Sequence, residues 1–444
     1  MTLSPEYRVI CDFMHYAFRP SLDKAKVVAN MYQEILTDDG VEVFDWRDYN
    51  SARLLAAKIL REKFEARGIE KIKIGVTAGM DSRGLLGAVL DVLPPENIIA
   101  FTKGQAGNKD FERARFFTEH ILPHHYLIGT ADGEYTVENW IKRFQSRPQG
   151  VAGSFYGISL QTNDPLKQHG WLPSISGFLG DATSGKRLNG VVHETWDEAL
   201  AAFVHKNEVF RPSSKRVISS MLPDEYDPYH LMPKKPLLAR NLIGFDDQLD
   251  LCFRQYQRVG VGFLPDSKTF NVSAEGQVNR NSHQVTVYDD PRWQKSYFTM
   301  PPEERLFQKH YKQMLKSNFP EIFLDLVNPE DPRFAPEPVP ETPKDRLKQS
   351  AKTALHTNWE ALWLENENFN EFARGLIRSL AERRVLYWLD PLALMEEFDK
   401  DILGLGKILW CLCSVELNLQ AGRLPLPDVA HVNVPRGAGL VESS

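Results

Sequence analysis

Apolar runs alternate with amphipathic stretches from Lys71 onward, and this alternation restricts the chain to few folds. Each run is short and typical of a buried strand, whereas the stretches between them carry apolar residues at helical spacing. The order strand, helix, strand, helix, strand is typical of a parallel sheet with crossover helices, so we expect an α/β fold. A further amphipathic helix, 52–68, precedes the first strand and ends at Gly68. The predicted strands are KIKIGV (71–76), NIIAFT (97–102) and HHYLIG (124–129), and the predicted helices between them are 84–93 and 109–122.

The composition excludes several classes of protein. Of the 444 residues, 42% are hydrophobic and 25% are charged, which is too apolar for a disordered chain. The formal net charge of −6 gives no electrostatic signal for nucleic acid. No apolar run reaches the roughly 20 residues of a membrane span, and the N-terminus lacks the layout of a signal peptide, so we expect a cytoplasmic protein that binds no membrane. The four cysteines are too few for a disulfide framework, and Cys411 and Cys413 are predicted to be buried thiols.

Changes in composition divide the chain into five predicted parts. The segment VNPEDPRFAPEPVPETPKD is rich in proline and is typical of an extended, semi-rigid connector. Aromatic and leucine stripes after it predict a packed helical core. The parts are an N-terminal leader (1–47), a domain that contains the sheet (48–326), the connector (327–345), C-terminal helices that pack on that domain (346–424) and a tail (425–444).

The turn between the first strand and its helix, 75–83, carries the residues best suited to chemistry. Backbone N–H groups in a turn of small residues, together with the start of a helix, suit a phosphate or pyrophosphate. Thr77 and Ser82 add hydroxyl groups, and Gly79 allows close backbone approach. Asp81 is unfavourable beside phosphates unless it binds a cation, so this segment predicts Mg²⁺ between Asp81 and phosphate oxygens.

The same turn carries a resemblance to a known family. TAGMDS resembles the Ser-Gly-Gly-x-Asp-Ser loop of the ATP pyrophosphatases, and TAGMDSRGLLGAVL resembles the asparagine synthetase version of it. Thr77 replaces a serine and keeps the hydroxyl, whereas Ala78 replaces a glycine and requires a negative φ. The resemblance implies a parallel-sheet adenine nucleotide alpha hydrolase-like (PP-loop) α/β domain with a large helical C-terminal part.

A second segment, ISGFLGDATSG (175–185), is similar to the family's Ser-Gly-Glu-Gly-x-Asp-Glu motif. This match implies that Asp181 is a magnesium ligand and a catalytic group beside Asp81. The family's catalytic glutamate falls on Phe178 and its following acidic position on Ala182, which makes asparagine doubtful as the product. The resemblance assigns ATP binding to Gly75, Thr77, Ala78, Gly79, Asp81, Ser82, Thr102, Ser176 and Gly177.

A third segment, 286–320, resembles the family's lysine-bearing helix ahead of a proline. There Lys309, with Lys312 as second choice, would neutralise the charge of pyrophosphate. Two looser matches are 101–117, with Asp110 at an acidic position, and 122–127, with His124 and His125 as structural residues; with the closing helices, the resemblance covers about residues 50–420.

The family activates a carboxylate by transferring AMP to it from ATP, with release of pyrophosphate, and an amine then attacks the activated carbonyl. The resemblance therefore implies an ATP-dependent, AMP-forming carbon–nitrogen ligase that uses ATP and Mg²⁺. Only about seventy residues precede the first predicted strand, too few for the glutaminase domain of longer relatives, so we expect that the protein does not hydrolyse glutamine by itself. The expected partners are a small-molecule or peptide carboxylate and a nitrogen donor, which is free ammonia, a substrate amine or ammonia from a separate protein.

Two other functions stay open at this point. A catalytically silent nucleotide-binding or scaffold subunit is suggested by Phe178 and Ala182, and an ATP-dependent nucleobase-modifying enzyme belongs to the same superfamily. Outside the motifs, Trp171 is expected in the core. Arg254, Tyr256 and Arg258 are expected either to line the substrate cleft or to lie on an exposed helix face.

Overall fold

The computed structural model describes most of the sheet region and the helices around it. Most of the predicted connector, its neighbouring residues up to 365 and most of the tail lie outside the described part. The described residues are 3–16, 22–104, 109–129, 136–145, 165–186, 188, 191, 193–207, 222–238, 245–260, 284–330, 366–400 and 402–428.

In the described part of the chain, five strands form one parallel sheet in the order β3-β2-β1-β4-β5. Ile74 of β1 is in register with Ala100 of β2 on one side and with Ile175 of β4 on the other. The α/β class and the parallel sheet are therefore confirmed. The strands are β1 (Ile72–Gly75), β2 (Ile98–Gly104), β3 (His125–Gly129), β4 (Ser174–Ile175) and β5 (Gln284–Val285).

Helices account for most of the remaining described residues. The first thirteen are α1 (Pro5–Tyr16), α2 (Leu22–Thr37), α3 (Tyr49–Glu65), α4 (Met80–Leu90), α5 (Lys109–Glu119), α6 (Val137–Gln145), α7 (Gly180–Ser184), α8 (Trp196–Lys206), α9 (Phe245–Gly260), α10 (Pro291–Thr299), α11 (Pro302–Arg305), α12 (Lys309–Asn318) and α13 (Leu324–Val327). After the connector come α14 (Glu367–Arg383), α15 (Pro391–Lys400) and α16 (Ile402–Gln420). None of the helices in the described ranges is long and apolar enough to cross a membrane.

Local signals explain where the helices near the site begin and end. The Asp48 side chain accepts a hydrogen bond from the Asn50 N–H and caps α3, and Gly68 has the left-handed φ of +60° expected after a helix. The helix after β1 begins at Met80, four residues before the predicted start at 84. The first turn of this helix was not predicted, because it follows a glycine and contains a serine, and the helical spacing of apolar residues starts only after it.

Buried apolar residues form two main clusters. One surrounds the sheet and includes Ile74, Leu86 and Tyr311. The other joins α14, α15 and α16 to residues of α1 and α6, so part of the predicted leader packs with the C-terminal helices. Cys411 and Cys413 are buried free thiols, as predicted. The prediction that Trp171 lies in the core is wrong: its side chain is 46% exposed, because it follows a short 3-10 helix at a surface bend.

A buried ion pair connects three helices beside the sheet. The guanidinium of Arg305 at the end of α11 is fully buried, donates to Asp247 of α9, and also donates to the backbone carbonyl of Thr183 in α7 (2.9 Å). It also lies over the ring of Phe298 at 4.4 Å. Removing one partner of such a pair leaves an uncompensated charge, which is far more costly than losing an exposed pair.

We therefore expect Asp247→Ala to lower the free energy of unfolding by about 3–5 kcal/mol. The matched control is Lys58→Ala, which breaks the half-exposed Lys58–Glu42 pair (2.8 Å) and should cost less than about 1 kcal/mol. Urea unfolding at neutral pH measures both. Equal losses in the two variants would contradict the importance of the buried pair.

Candidate functional site

A cavity of about 730 Å³ opens beyond the carboxyl ends of β1 and β4. The strand order reverses at this point, because β2 and β3 lie on one side of β1 whereas β4 and β5 lie on the other. Ligands of parallel α/β sheets bind at such a switch point. The lining residues are Gly75, Thr77, Ala78, Gly79, Met80, Asp81, Ser82, Arg83, Phe101, Ser174, Ile175, Ser176, Gly177, Asp181, Lys186, Gln308, Asp325 and Leu326.

Two hydroxyl side chains hold the turn after β1. Ser82 Oγ accepts a hydrogen bond from the Thr77 N–H (3.0 Å) and lies 3.0 Å from Thr77 Oγ1, and the Gly79 N–H donates to Thr77 Oγ1 (3.1 Å). The hydroxyl groups predicted as phosphate donors thus also fix the turn. Ala78 is not among the described non-glycine residues with positive φ, so it satisfies the condition stated for it.

The start of α4 faces the same cavity. Its N-cap residue is Gly79, and no side chain caps this end of the helix. The first N–H groups of an α-helix have no intrahelical acceptor, and the positive end of the helix dipole lies there. A phosphate group would satisfy both features.

Glycines let the loop after β4 approach Asp81. A Cβ at Gly177 would lie 3.1 Å from the Asp81 Cβ, and a Cβ at Gly180 would lie 2.4 Å from the Asp81 Cγ. Position 180 therefore admits no larger residue unless Asp81 moves. Asp181 follows directly in α7, and both aspartates line the cavity. The structure thus brings together carboxylates from the ends of two neighbouring strands.

The surroundings of Asp81 favour its neutral form. Removal of the carboxyl group from solvent, with the negative charge of nearby Asp181, raises the pKa of Asp81 to about 8. A hydrogen bond from Tyr311 and the positive charge of Lys186 act in the opposite direction. The protein without a bound cation therefore holds a proton at this carboxyl at neutral pH.

The side chains at this point fit a divalent cation. Asp81 Oδ1 is buried and has no hydrogen-bond partner among the described atoms. Mg²⁺ in nucleotide sites is usually bound by one or two carboxylates, with substrate phosphates and water as its other ligands. Asp81 and Asp181, which both line the cavity, are the candidate protein ligands; the described residues contain no cluster of three or more metal-binding side chains.

The cavity is also lined by a positively charged side chain, Lys186, that was not predicted from the sequence. Lys186 Nζ lies 2.5 Å from Asp181 Oδ2. The chain reverses at Gly185, which has a φ of +88°, so the lysine returns onto the carboxylate five residues before it. The available signal was a Gly-Lys pair directly after the acidic segment, which on its own is typical of any helix end.

Two further side chains at the cavity are held by buried contacts. The Arg83 guanidinium donates to both carboxylate oxygens of Asp325 (2.8 and 2.9 Å) and lies between the rings of Phe117 and Phe323. Gln308 donates to Ser184 Oγ (2.6 Å). These contacts join the start of α4 to α13, and the end of α7 to the turn before α12. Their partners are far apart in sequence, which is why sequence patterns do not identify them.

Two predicted site residues are absent from the cavity lining. Thr102 is buried in β2, where its hydroxyl donates to the Val76 carbonyl (3.0 Å) and lies 3.0 Å from His125 Nε2. Lys309 forms an ion pair with Glu304 (3.0 Å), and its side chain is 59% exposed. The match to the family's lysine-bearing helix therefore does not bring Lys309 into contact with the two aspartates.

The two residues at which the chain departs from the similar motif are not among the residues that line the cavity. Phe178 is half-buried and packs against the core around the sheet, and Ala182 is buried. Arg254 donates to Asp250 (3.3 Å) and is not a lining residue either. The side chains of Asp110, Tyr256 and Arg258 lie outside the described part of the structure.

Comparison of the chain with protein-family models, with curated proteins and with solved structures gives no match.

The raised pKa of Asp81 predicts a pH-dependent stability. Between about pH 4 and about pH 8 the folded protein keeps a proton on Asp81 that the unfolded chain has lost. The contribution of Asp81 to the free energy of unfolding therefore falls as the pH rises through this range, by about 1.4 kcal/mol per pH unit. Asp81→Asn removes this dependence, so the variant should become more stable relative to the original protein as pH rises.

Urea unfolding in the presence of a chelator, at several pH values in this range, measures the difference. Asp39→Asn, which changes an exposed carboxylate, is the control and should follow the original protein. A constant difference between the Asp81→Asn variant and the original protein across the range would contradict the assignment.

Proposed function

We propose that this protein is an ATP-dependent, AMP-forming carbon–nitrogen ligase with the asparagine synthetase-like PP-loop fold. The observation that carries the proposal is the convergence of Asp81 and Asp181, from the ends of β1 and β4, on one cavity beside the uncapped start of α4. Phosphate oxygens bound to these N–H groups would repel the two carboxylates, and a divalent cation held by Asp81 and Asp181 would offset that repulsion, as a magnesium–pyrophosphate leaving group needs.

The proposed reaction makes a carboxylate electrophilic. A substrate carboxylate oxygen bonds to the α-phosphorus of ATP, and the bond from that phosphorus to the bridging oxygen breaks, so pyrophosphate leaves with the electron pair. An amine then bonds to the activated carbonyl carbon, AMP leaves, and the amine loses a proton. Mg²⁺ would supply charge neutralisation of the phosphates, with Asp81 and Asp181 as its protein ligands.

The chain's own residues have two tasks in this reaction. The Thr77–Ser82 turn and the first N–H groups of α4 bind and orient phosphate oxygens, and the carboxylates of Asp81 and Asp181 hold the cation. Contacts that develop as pyrophosphate departs are worth about 3–4 kcal/mol of barrier each in comparable sites.

The substrates are proposed by class. The carboxylate belongs to a small molecule or a peptide, and the nitrogen comes from ammonia, from a substrate amine or from a separate ammonia-supplying protein. Phe178 and Ala182 replace acidic residues of the family motif, which argues against aspartate as the acceptor. They also motivate the second candidate, a catalytically silent nucleotide-binding subunit. Nucleobase thiolation is less well supported, because all four cysteines are buried and none lines the cavity.

The test is exchange of labelled pyrophosphate into ATP over a panel of carboxylates. We expect exchange that depends on one class of carboxylate, and a loss of at least about a hundredfold in Asp81→Asn and in Asp181→Asn, because each variant removes a cation ligand. Asp39→Asn is the control with an exposed carboxylate and should retain full exchange.

The outcomes separate the candidates. Full exchange in both site variants would overturn the proposed mechanism. ATP binding without AMP release for any carboxylate in the panel would instead favour the silent nucleotide-binding subunit.

A further inference from the structure

Of the cationic side chains described at this cavity, Lys186 is the one whose charged group can exchange one anionic partner for another. The cavity lining, among the described residues, includes two cationic side chains, Arg83 and Lys186. The guanidinium of Arg83 is buried, bound to both oxygens of Asp325 and enclosed by two aromatic rings. The side chain of Lys186 is 54% exposed, and its ammonium group forms an ion pair with Asp181 (2.5 Å).

The backbone of Lys186 is held in place, whereas the ammonium group at the end of its side chain can move. The Lys186 N–H donates to the Asp181 carbonyl (3.3 Å). A Cβ at Gly185 would lie 2.5 Å from the Arg305 carbonyl oxygen, and Arg305 also donates to the Thr183 carbonyl. The root of the side chain therefore stays beside the cavity, while its flexible four-carbon stem lets the ammonium move over a few ångströms.

The ammonium group and a divalent cation would compete for the same carboxylate. Asp181 Oδ2 is 2.5 Å from Lys186 Nζ, and Asp181 is also a candidate magnesium ligand. When a cation binds Asp181, the ammonium must find another anion, and phosphate oxygens bound at the start of α4 would bring one into the same cavity.

We propose that Lys186 is an exchangeable counter-ion: it neutralises Asp181 in the metal-free protein and transfers to pyrophosphate oxygens when a divalent cation occupies Asp181. This inference rests on the proposed function for its ligand, because it assigns a phosphate-binding residue to that same cavity. It gives the role of pyrophosphate-binding lysine to Lys186 and not to Lys309, whose ammonium is paired with Glu304.

If Lys186 exchanges partners in this way, loss of its charge should increase the affinity for a divalent cation and decrease the affinity for pyrophosphate. Lys186→Met keeps the apolar stem and removes the charge. The affinity for Mn²⁺ without nucleotide, measured by electron paramagnetic resonance, should rise about two- to fivefold. The variant lacks the ammonium that competes for Asp181, and an exposed ion pair of this kind is weak. Binding of pyrophosphate in the presence of Mg²⁺, followed by calorimetry, should become at least about tenfold weaker. A lysine with only a structural role would weaken both.

The controls separate charge from folding. Lys58→Met removes an ammonium that is likewise paired with a carboxylate, at 2.8 Å and half-exposed, but that lies outside the cavity lining, so both affinities should stay unchanged. Lys186→Arg keeps the charge and should retain most of the pyrophosphate affinity.

Three results would overturn the inference: unchanged pyrophosphate affinity in Lys186→Met, weaker Mn²⁺ binding in that variant, or the absence of Mg²⁺-dependent pyrophosphate binding by the original protein. The first of these results, combined with loss of pyrophosphate binding in Lys309→Met, would return the pyrophosphate-binding role to Lys309. Pyrophosphate binding that depends on Lys186, without any carboxylate-dependent exchange into ATP, would refute the ligase alone and leave the role of Lys186 intact.

Discussion

The close approach of two carboxylates at the switch point of the sheet is the constraint on which the site depends. Like charges a short distance apart, one of them removed from solvent, repel each other unless a proton or a cation lies between them. Both remedies are available without a bound metal: burial and the charge of Asp181 raise the pKa of Asp81 to about 8, which favours a proton on it at neutral pH, and Asp181 is paired with Lys186. The neighbouring loops must resist the tendency of these groups to separate.

Buried contacts at and beside the cavity supply that resistance. Arg305 joins α7 to α9 and α11, while Arg83 joins α4 to Asp325, so the two loops that carry the aspartates are tied to different parts of the core. Between Gly177 and Gly180 the backbone of Leu179 has a φ of +73°, a conformation that costs a non-glycine residue about 1–2 kcal/mol. The loop keeps this strained form because the Leu179 side chain is buried in the core.

How far the sequence predicts this site depends on how local each interaction is. The strand, turn and helix around Asp81 were predictable because their signals lie within a few residues of one another, and the second aspartate was found by its similarity to a short motif. Lys186 was not predicted, because its position follows from the left-handed turn at Gly185. Lys309 was chosen because it matched a lysine-bearing helix, but such a match does not predict that its ammonium group pairs with Glu304. Trp171 was expected in the core, whereas it lies on an exposed bend after a short 3-10 helix.

Taken together, the proton on Asp81 and the ammonium on Asp181 make cation binding a double exchange in the proposed site. A divalent cation would have to displace a proton from Asp81 and the ammonium of Lys186 from Asp181, which would weaken its binding in the absence of phosphate. A phosphate ligand changes this balance, because its oxygens accept the displaced ammonium and supply further ligands to the cation. Metal and phosphate would therefore bind with positive coupling, and that coupling is reciprocal by thermodynamic necessity. In such a site a phosphate ligand would raise the affinity of the two carboxylates for the cation, and a bound cation would raise the affinity for phosphate to the same extent.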